Sequence, residues 1–159
     1  MTQAIDFTFL NSSQTVTYQK VSDYLTGSHL FRDAVTSVPN TPNFEIQYGT
    51  TCLHVDVVAW EVNPWNDEDI AIVRSYSYLT DGTPVSADLL QFLMSESNLI
   101  RFGAFQLEAD GRIMFAHSIL GGDNMDMMEL QTCILSVSAI ADSYDNIIVQ
   151  KFGGNFLAG

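Results

Sequence analysis

The stretch from Met125 to Tyr144 has more apolar surface than one core contact needs, and this limits what the chain can fold into. Wound at about 100° per residue, it puts Met127, Leu130, Cys133, Ile134, Val137, Ile140, Ala141 and Tyr144 on one broad stripe, which must face a core. Met128, Leu135 and Ala139 form a second, smaller stripe on the far side. Polar arcs separate the two, with Gln131, Ser138 and Asp142 on one side and Glu129, Thr132, Ser136 and Ser143 on the other. A helix of this kind needs cover twice, from its own sheet and from a partner or a further segment. Soluble monomers seldom expose an apolar strip along three turns, whereas two copies can bury it across a two-fold axis. Met128, Leu135 and Ala139 are therefore the candidate homodimer interface. In a monomer the cover is expected from residues 1–12 or from Ile147 to Phe152.

Charge narrows the list of partners. The 159 residues carry 19 Asp and Glu against 6 Lys and Arg, a net charge of −13. The six cations, Lys20, Arg32, Arg74, Arg101, Arg112 and Lys151, are scattered. Nucleic-acid binding needs clustered cations to displace counterions from phosphates, so no nucleic-acid partner is expected. The same charge repels anionic membrane surfaces, and no apolar run reaches the ~20 residues that span a bilayer. With 47% apolar and 16% charged residues, the chain has a globular composition of one-domain size. Met1 to Leu10 holds no Lys or Arg and alternates apolar with polar residues, so a secretory leader is not expected. Cys52 and Cys133 stand alone in apolar patterns, which reads as two reduced thiols and a cytoplasmic location.

Local patterns set an element order. Ile5, Phe7 and Phe9 alternate as in a short strand. Ser12 or Ser13 can cap a helix running to about Leu25, with Gly27 ending it. Val38-Pro39-Asn40-Thr41-Pro42-Asn43 is a loop. Three strands follow: Phe44 to Tyr48, Thr51 to Val62 and Asp69 to Leu79. A helix starts at Ser86 and carries Leu89, Leu90 and Leu93 to about Ser95. Arg101 to Glu108 and Arg112 to Leu120 form a hairpin around Asp110-Gly111, a pair suited to the positive φ of tight turns. Gly121-Gly122 stops the strand before the last helix, and Ile147 to Phe152 reads as a final extended piece. The result is an α+β, two-layer domain over residues 1–159, an antiparallel sheet of about five strands in the order α-βββ-α-ββ-α.

The stretch from about Phe44 to Tyr144 resembles the YbjN-like domains, which are similar in architecture to type III secretion chaperones of the CesT type. The matching features are the Leu89-Leu90-x-Phe92-Leu93 helix, Phe102-Gly103-Ala104-Phe105 leading into Leu107-Glu108-Ala109-Asp110-Gly111-Arg112-Ile113, and the long terminal helix. The resemblance implies a peptide-binding or regulatory module, often dimeric. The first 40 residues and the Ile147 to Phe152 tail depart from the pattern.

Candidate site residues lie on the strands. In the long strand Leu53, Val55, Val57 and Ala59 make one wholly apolar face, and Cys52, His54, Asp56, Val58 and Trp60 make the other. The next strand aligns Ile70, Ile72, Arg74, Tyr76 and Tyr78. His54, Trp60, Arg74, Tyr76 and Tyr78 combine large apolar area with polar handles, as partner-binding residues do. Whether the two rows share a side is open at this point, and an aromatic but merely solvated face is the plainer alternative. Asp67, Glu68 and Asp69 in one loop, and Asp123, Asp126 and Glu129 in another, are acidic. EF-hand spacing is absent, and helix capping by Asp123 accounts for the second group, so a weak Ca²⁺ site needs the fold to bring the loops together. No Walker loop, Rossmann fingerprint, nucleophile elbow or HExxH occurs. The expected function is non-enzymatic protein or peptide binding without a cofactor, with an acidic divalent-cation-binding protein as the alternative.

Overall fold

The computed structural model describes residues 7–60 and 69–157. Its elements run α1 (Ser12–Gly27), β1 (Val35–Ser37), β2 (Asn43–Tyr48), β3 (Thr51–Trp60), β4 (Ile70–Asp81), α2 (Ala87–Ile100), β5 (Ala104–Leu107), β6 (Ile113–Leu120), α3 (Met127–Phe152) and β7 (Asn155–Phe156). The sheet has seven strands, in the order β1-β2-β3-β4-β6-β5, with β7 beside the end of β4. All pairs are antiparallel. This is the expected α+β architecture with two short strands added. β1 comes from the stretch before the Pro-Asn loop that has no clear periodicity. β7 comes from the Asn-Phe pair after Gly154.

Caps and turns explain where the elements stop. The Asn11 side chain accepts from the Gln14 N–H at 2.8 Å, so Asn11 and not Ser12 or Ser13 opens α1. Ser86 opens α2, accepting from the Leu89 N–H at 3.1 Å. Asp126, not Asp123, caps α3, taking the N–H groups of Met128 at 2.8 Å and Glu129 at 3.0 Å. Gly111 sits at φ 88° in the β5–β6 turn, where the Glu108 N–H donates to the Arg112 carbonyl at 2.9 Å. The β-branched run Ile147–Val149 is helical, contrary to its expected extended form. Ile148 continues the buried stripe one step beyond Ala141 and Tyr144 and is fully buried. Tertiary burial there outweighs a strand preference worth only tenths of a kcal/mol per residue. Phe7 and Phe9 are not in a strand, and Ile5 lies outside the described residues. Their rings pack 4.9 Å apart and lie 5.5 and 5.4 Å from Tyr18, which stacks on Phe44 at 5.1 Å.

The core lies between one sheet face and the helices α1 and α3. Leu53, Val55 and Val57 of β3, Val73 of β4 and Phe115 of β6 meet Val21 and Leu25 of α1 and Leu130, Ile134 and Val137 of α3, all of them buried. α2 packs by β5, where the Phe105 N–H donates to Ser97 Oγ at 2.9 Å. Tyr144 ties α3 to α2, its hydroxyl donating to Glu96 at 2.7 Å.

The Gly121-Gly122 junction fits α1 closely. The Gly122 N–H donates to Thr17 Oγ1 at 2.8 Å, and Lys20 Nζ donates to the carbonyls of Gly122, Asp123 and Met125 at 3.3, 2.6 and 3.3 Å. A Cβ at Gly121 would stand 2.6 Å from Thr17 Oγ1. Gly121→Ala is therefore expected to push α1 off the sheet and lower stability by about 1–3 kcal/mol, the usual range for overpacking. Chemical denaturation of the two proteins measures it, and an unchanged midpoint would show that Thr17 can turn away.

Candidate functional site: the open sheet face

The register answers the question that the two strand rows leave open. His54 pairs with Tyr76, Asp56 with Arg74, Val58 with Ile72 and Trp60 with Ile70. Directly opposed residues share a side, so all of these side chains lie on one face. It is the face away from α1 and α3, which pack instead on Leu53, Val55 and Val57. β6 adds Leu120 opposite Ile72, and β2 adds Glu45 opposite His54. Val58, Trp60 and Leu120 are 44%, 36% and 62% exposed, a large apolar share for an outward face.

Within the face, polar and aromatic groups hold one another in place. The His54 ring stacks on Tyr76 at 4.8 Å and meets Tyr78 edge-on at 5.8 Å, and the two tyrosines are 5.7 Å apart. Arg112 lies 4.0 Å over the Tyr78 ring while its Nε reaches Asp110 at 2.8 Å. Arg74 is 4.8 Å from the Tyr76 ring and donates to Gln106 Oε1 at 2.6 Å. These contacts fix rotamers before any partner arrives, which lowers the ordering cost of binding. Burial, and next the nearby Asp56 carboxylate, push the Tyr76 phenol well above its ordinary value. Four of the five expected partner-binding residues, His54, Arg74, Tyr76 and Tyr78, form one cluster. Trp60 lies on the same face at the far end of β3.

Arg112 is the residue that sequence reasoning passes over. It enters through a hairpin remote in sequence from Tyr78. Its signal is the alternate row of β6, but that row mixes polar and apolar residues and reads as ordinary solvent face. Glu45 is likewise visible only through the β2–β3 register, its carboxylate 3.7 Å from His54 Nδ1.

Burial pushes His54 below the ordinary imidazole value, against the pull of Glu45 and Asp56, with Arg112 adding to the drop. Burial lowers His117 likewise, against Glu129. In the unfolded chain both titrate near 6.5. Just below that pH the unfolded state binds more protons, so stability falls as pH drops through 6.5 toward the folded values. Urea midpoints are expected to fall from pH 7 to pH 5, and His54→Gln to flatten that fall. An equal slope in the variant would show that His54 does not contribute. Asp56, raised by burial, acts in the opposite direction at lower pH.

On α3, Met128 is 65% exposed and Ala139 is exposed. Leu135 between them is half-buried against the core and borders a groove with Tyr48, Thr50 and Thr51 of the β2–β3 turn. Residues 147–152 belong to α3 itself and do not cover it, and residues 1–6 lie outside the described residues. Asp69 and Asp123 border one surface cleft with Ser12 and Ser13, and Asp69 accepts from the Ser12 hydroxyl at 3.1 Å. Asp126 is occupied as the α3 cap and Glu129 lies in the first turn beside it. Asp67 and Glu68 lie outside the described residues. Among the described residues no three His, Cys, Asp or Glu side chains converge on a point. Both cysteines are free, and burial raises each thiol, Cys133 to about 12. No described helix is long and apolar enough to cross a membrane.

Residues 21–158 match the family described as "T3SS (YopN, CesT) and YbjN peptide-binding chaperone 1". The chain belongs to that family. The match runs past the Phe44 to Tyr144 stretch on both sides and takes in the last turns of α1, all of α3 and β7. No curated protein matches the chain. A peptide-binding chaperone needs exposed apolar area on a scaffold that does not depend on the partner for its core. The open face is apolar surface separate from the packing under α1 and α3.

Proposed function

We propose that this protein is a non-enzymatic chaperone-like module that holds a segment of a protein partner on its open sheet face. One observation supports the reading most: the register gathers Val58, Trp60, Ile70, Ile72, Tyr76 and Tyr78 into one outward surface edged by Arg74 and Arg112. The apolar rows supply burial and the charged edge supplies orientation. Both free cysteines suit a reducing, cytoplasmic setting. An array of immobilised peptides probed with the full chain tests the reading, with Tyr76→Ala as the control that must lose the signal. A divalent cation at the Asp69–Asp123 cleft is the second reading, and heat on titrating calcium into the full chain favours it.

The active form is a dimer through the outer stripe of α3. Met128 and Ala139 are exposed and Leu135 is accessible at the edge of its groove. Light scattering is expected to give about twice the 17.6 kDa chain mass. Met128→Asp and Leu135→Asp place like charges at a two-fold contact and should return the mass to one chain. A wild-type mass of one chain at tens of micromolar would rule the dimer out.

A further inference from the structure

The β3–β4 ladder runs from Trp60↔Ile70 to His54↔Tyr76 and stops there, although β3 begins at Thr51 and β4 continues to Asp81. Over that stretch each strand keeps its other neighbour. β3 stays paired with β2 through Tyr48↔Thr51, and β4 with β6 through Thr80↔Ile113. The sheet is therefore split internally between residues 51–53 and 77–79. The Ser77 hydroxyl donates to the Cys52 carbonyl at 2.9 Å, a side chain standing in for a ladder bond. A cavity of about 220 Å³ opens beside it, reaching from Cys52 and Tyr78 down to Ala141 of α3.

β7 approaches this split from its open end. Asn155 pairs with Asp81 and Phe156 with Thr80, and the Leu157 N–H donates to the Leu79 carbonyl at 3.4 Å. Thr80 is paired with Ile113 on its other side, so β7 occupies the side of β4 that faces β3. Leu157 borders the cavity. Thus the edge of β4 that β3 leaves is already used by an added strand, in a defined direction, for two residues.

We propose that the split is a slot for one further strand: an extended peptide of the partner pairs with Tyr78 and Leu79 of β4, antiparallel to it and in the line of β7, which it displaces, up to the Ser77–Cys52 bridge that closes the split. The proposal rests on the peptide-binding reading and adds where the peptide backbone goes. Strand addition supplies affinity through main-chain hydrogen bonds, which do not depend on sequence, and selects through alternate side chains. Here the residue opposite Leu79 points to the side of Ala141 and Asp145, which border the cavity. The residue opposite Tyr78 points to the open face beside His54 and Arg112, which suits a polar or acidic side chain.

The test uses the ¹⁵N-labelled full chain and a synthetic acetylated peptide with the sequence of residues 153–159, which contains the strand seen against β4. Phe156→Pro weakens pairing of the internal β7, and Phe156 is 50% exposed, so the core is untouched. The variant is expected to bind the peptide at least tenfold more tightly than the wild type, with amide shifts concentrated at Cys52, Leu53, Ser77, Tyr78 and Leu79. A folded variant that shows no shifts there at millimolar peptide overturns the slot. If the variant does not fold, the wild type with millimolar peptide reads the same amides, and an absence of shifts there overturns the slot equally. Peptides retained by the array that shift only Val58, Trp60, Ile70 and Ile72 overturn the slot and leave the open-face reading standing. Shifts at the slot that persist in Tyr76→Ala retain the slot and remove the open face.

Discussion

Tyr76→Ala is expected to weaken binding of an array-selected peptide about 30-fold or more, roughly 2 kcal/mol, the size of a central aromatic hot spot. Tyr76 is at the middle of the cluster. It stacks on His54, meets Tyr78 edge-on and carries Arg74 near its ring. Removing it takes away contact area and also frees the neighbours whose rotamers it holds. Fluorescence anisotropy with a labelled peptide gives the affinity, and circular dichroism confirms that the variant is folded. Trp60→Ala, at the edge of the face, should cost less. An unchanged affinity for Tyr76→Ala in a folded protein would move the binding surface off this face.

Phe115→Ala is expected to lower stability by about 3–5 kcal/mol, the range for removing a fully buried ring. Phe115 is 0% exposed, on the β6 row under the helices, with Phe105 at 5.1 Å. Its neighbours belong to the sheet and helix framework, which cannot collapse into the space without losing register. Urea unfolding measures the effect, and a loss below about 1 kcal/mol would mean that the core reorganises around the cavity. The pair of variants separates two roles. Phe115 lies opposite Ser77, the strand neighbour of Tyr76, so the two rings point to opposite faces of the sheet. Phe115 acts on folding from one side, and Tyr76 acts on binding from the other.

What the sequence alone determined follows from local periodicity. The 3.6-residue stripe of α3, the alternation of β3, and the Asp-Gly turn each depend on neighbours within a few positions, so they are legible without a fold. Hence the element order and the apolar underside of β3 could be read directly, and so could the aromatic rows. Their limits show where local signals compete. Ile147–Val149 has strand propensity, yet helix α3 continues because Ile148 has a core position to fill. Asp123 looks like a cap, yet Lys20 holds the Asp123 carbonyl and the turn runs on to Asp126. What only the tertiary structure decided is register and layer. A one-residue slip between β3 and β4 would send Tyr76 to the core and Ser75 to the open face. No local pattern chooses between them when both rows are half apolar. The placement of Arg112 over Tyr78, the turn beside Leu135 and the split that admits β7 are all long-range pairings, settled by how α1 and α3 cover one face of the sheet and leave the other open.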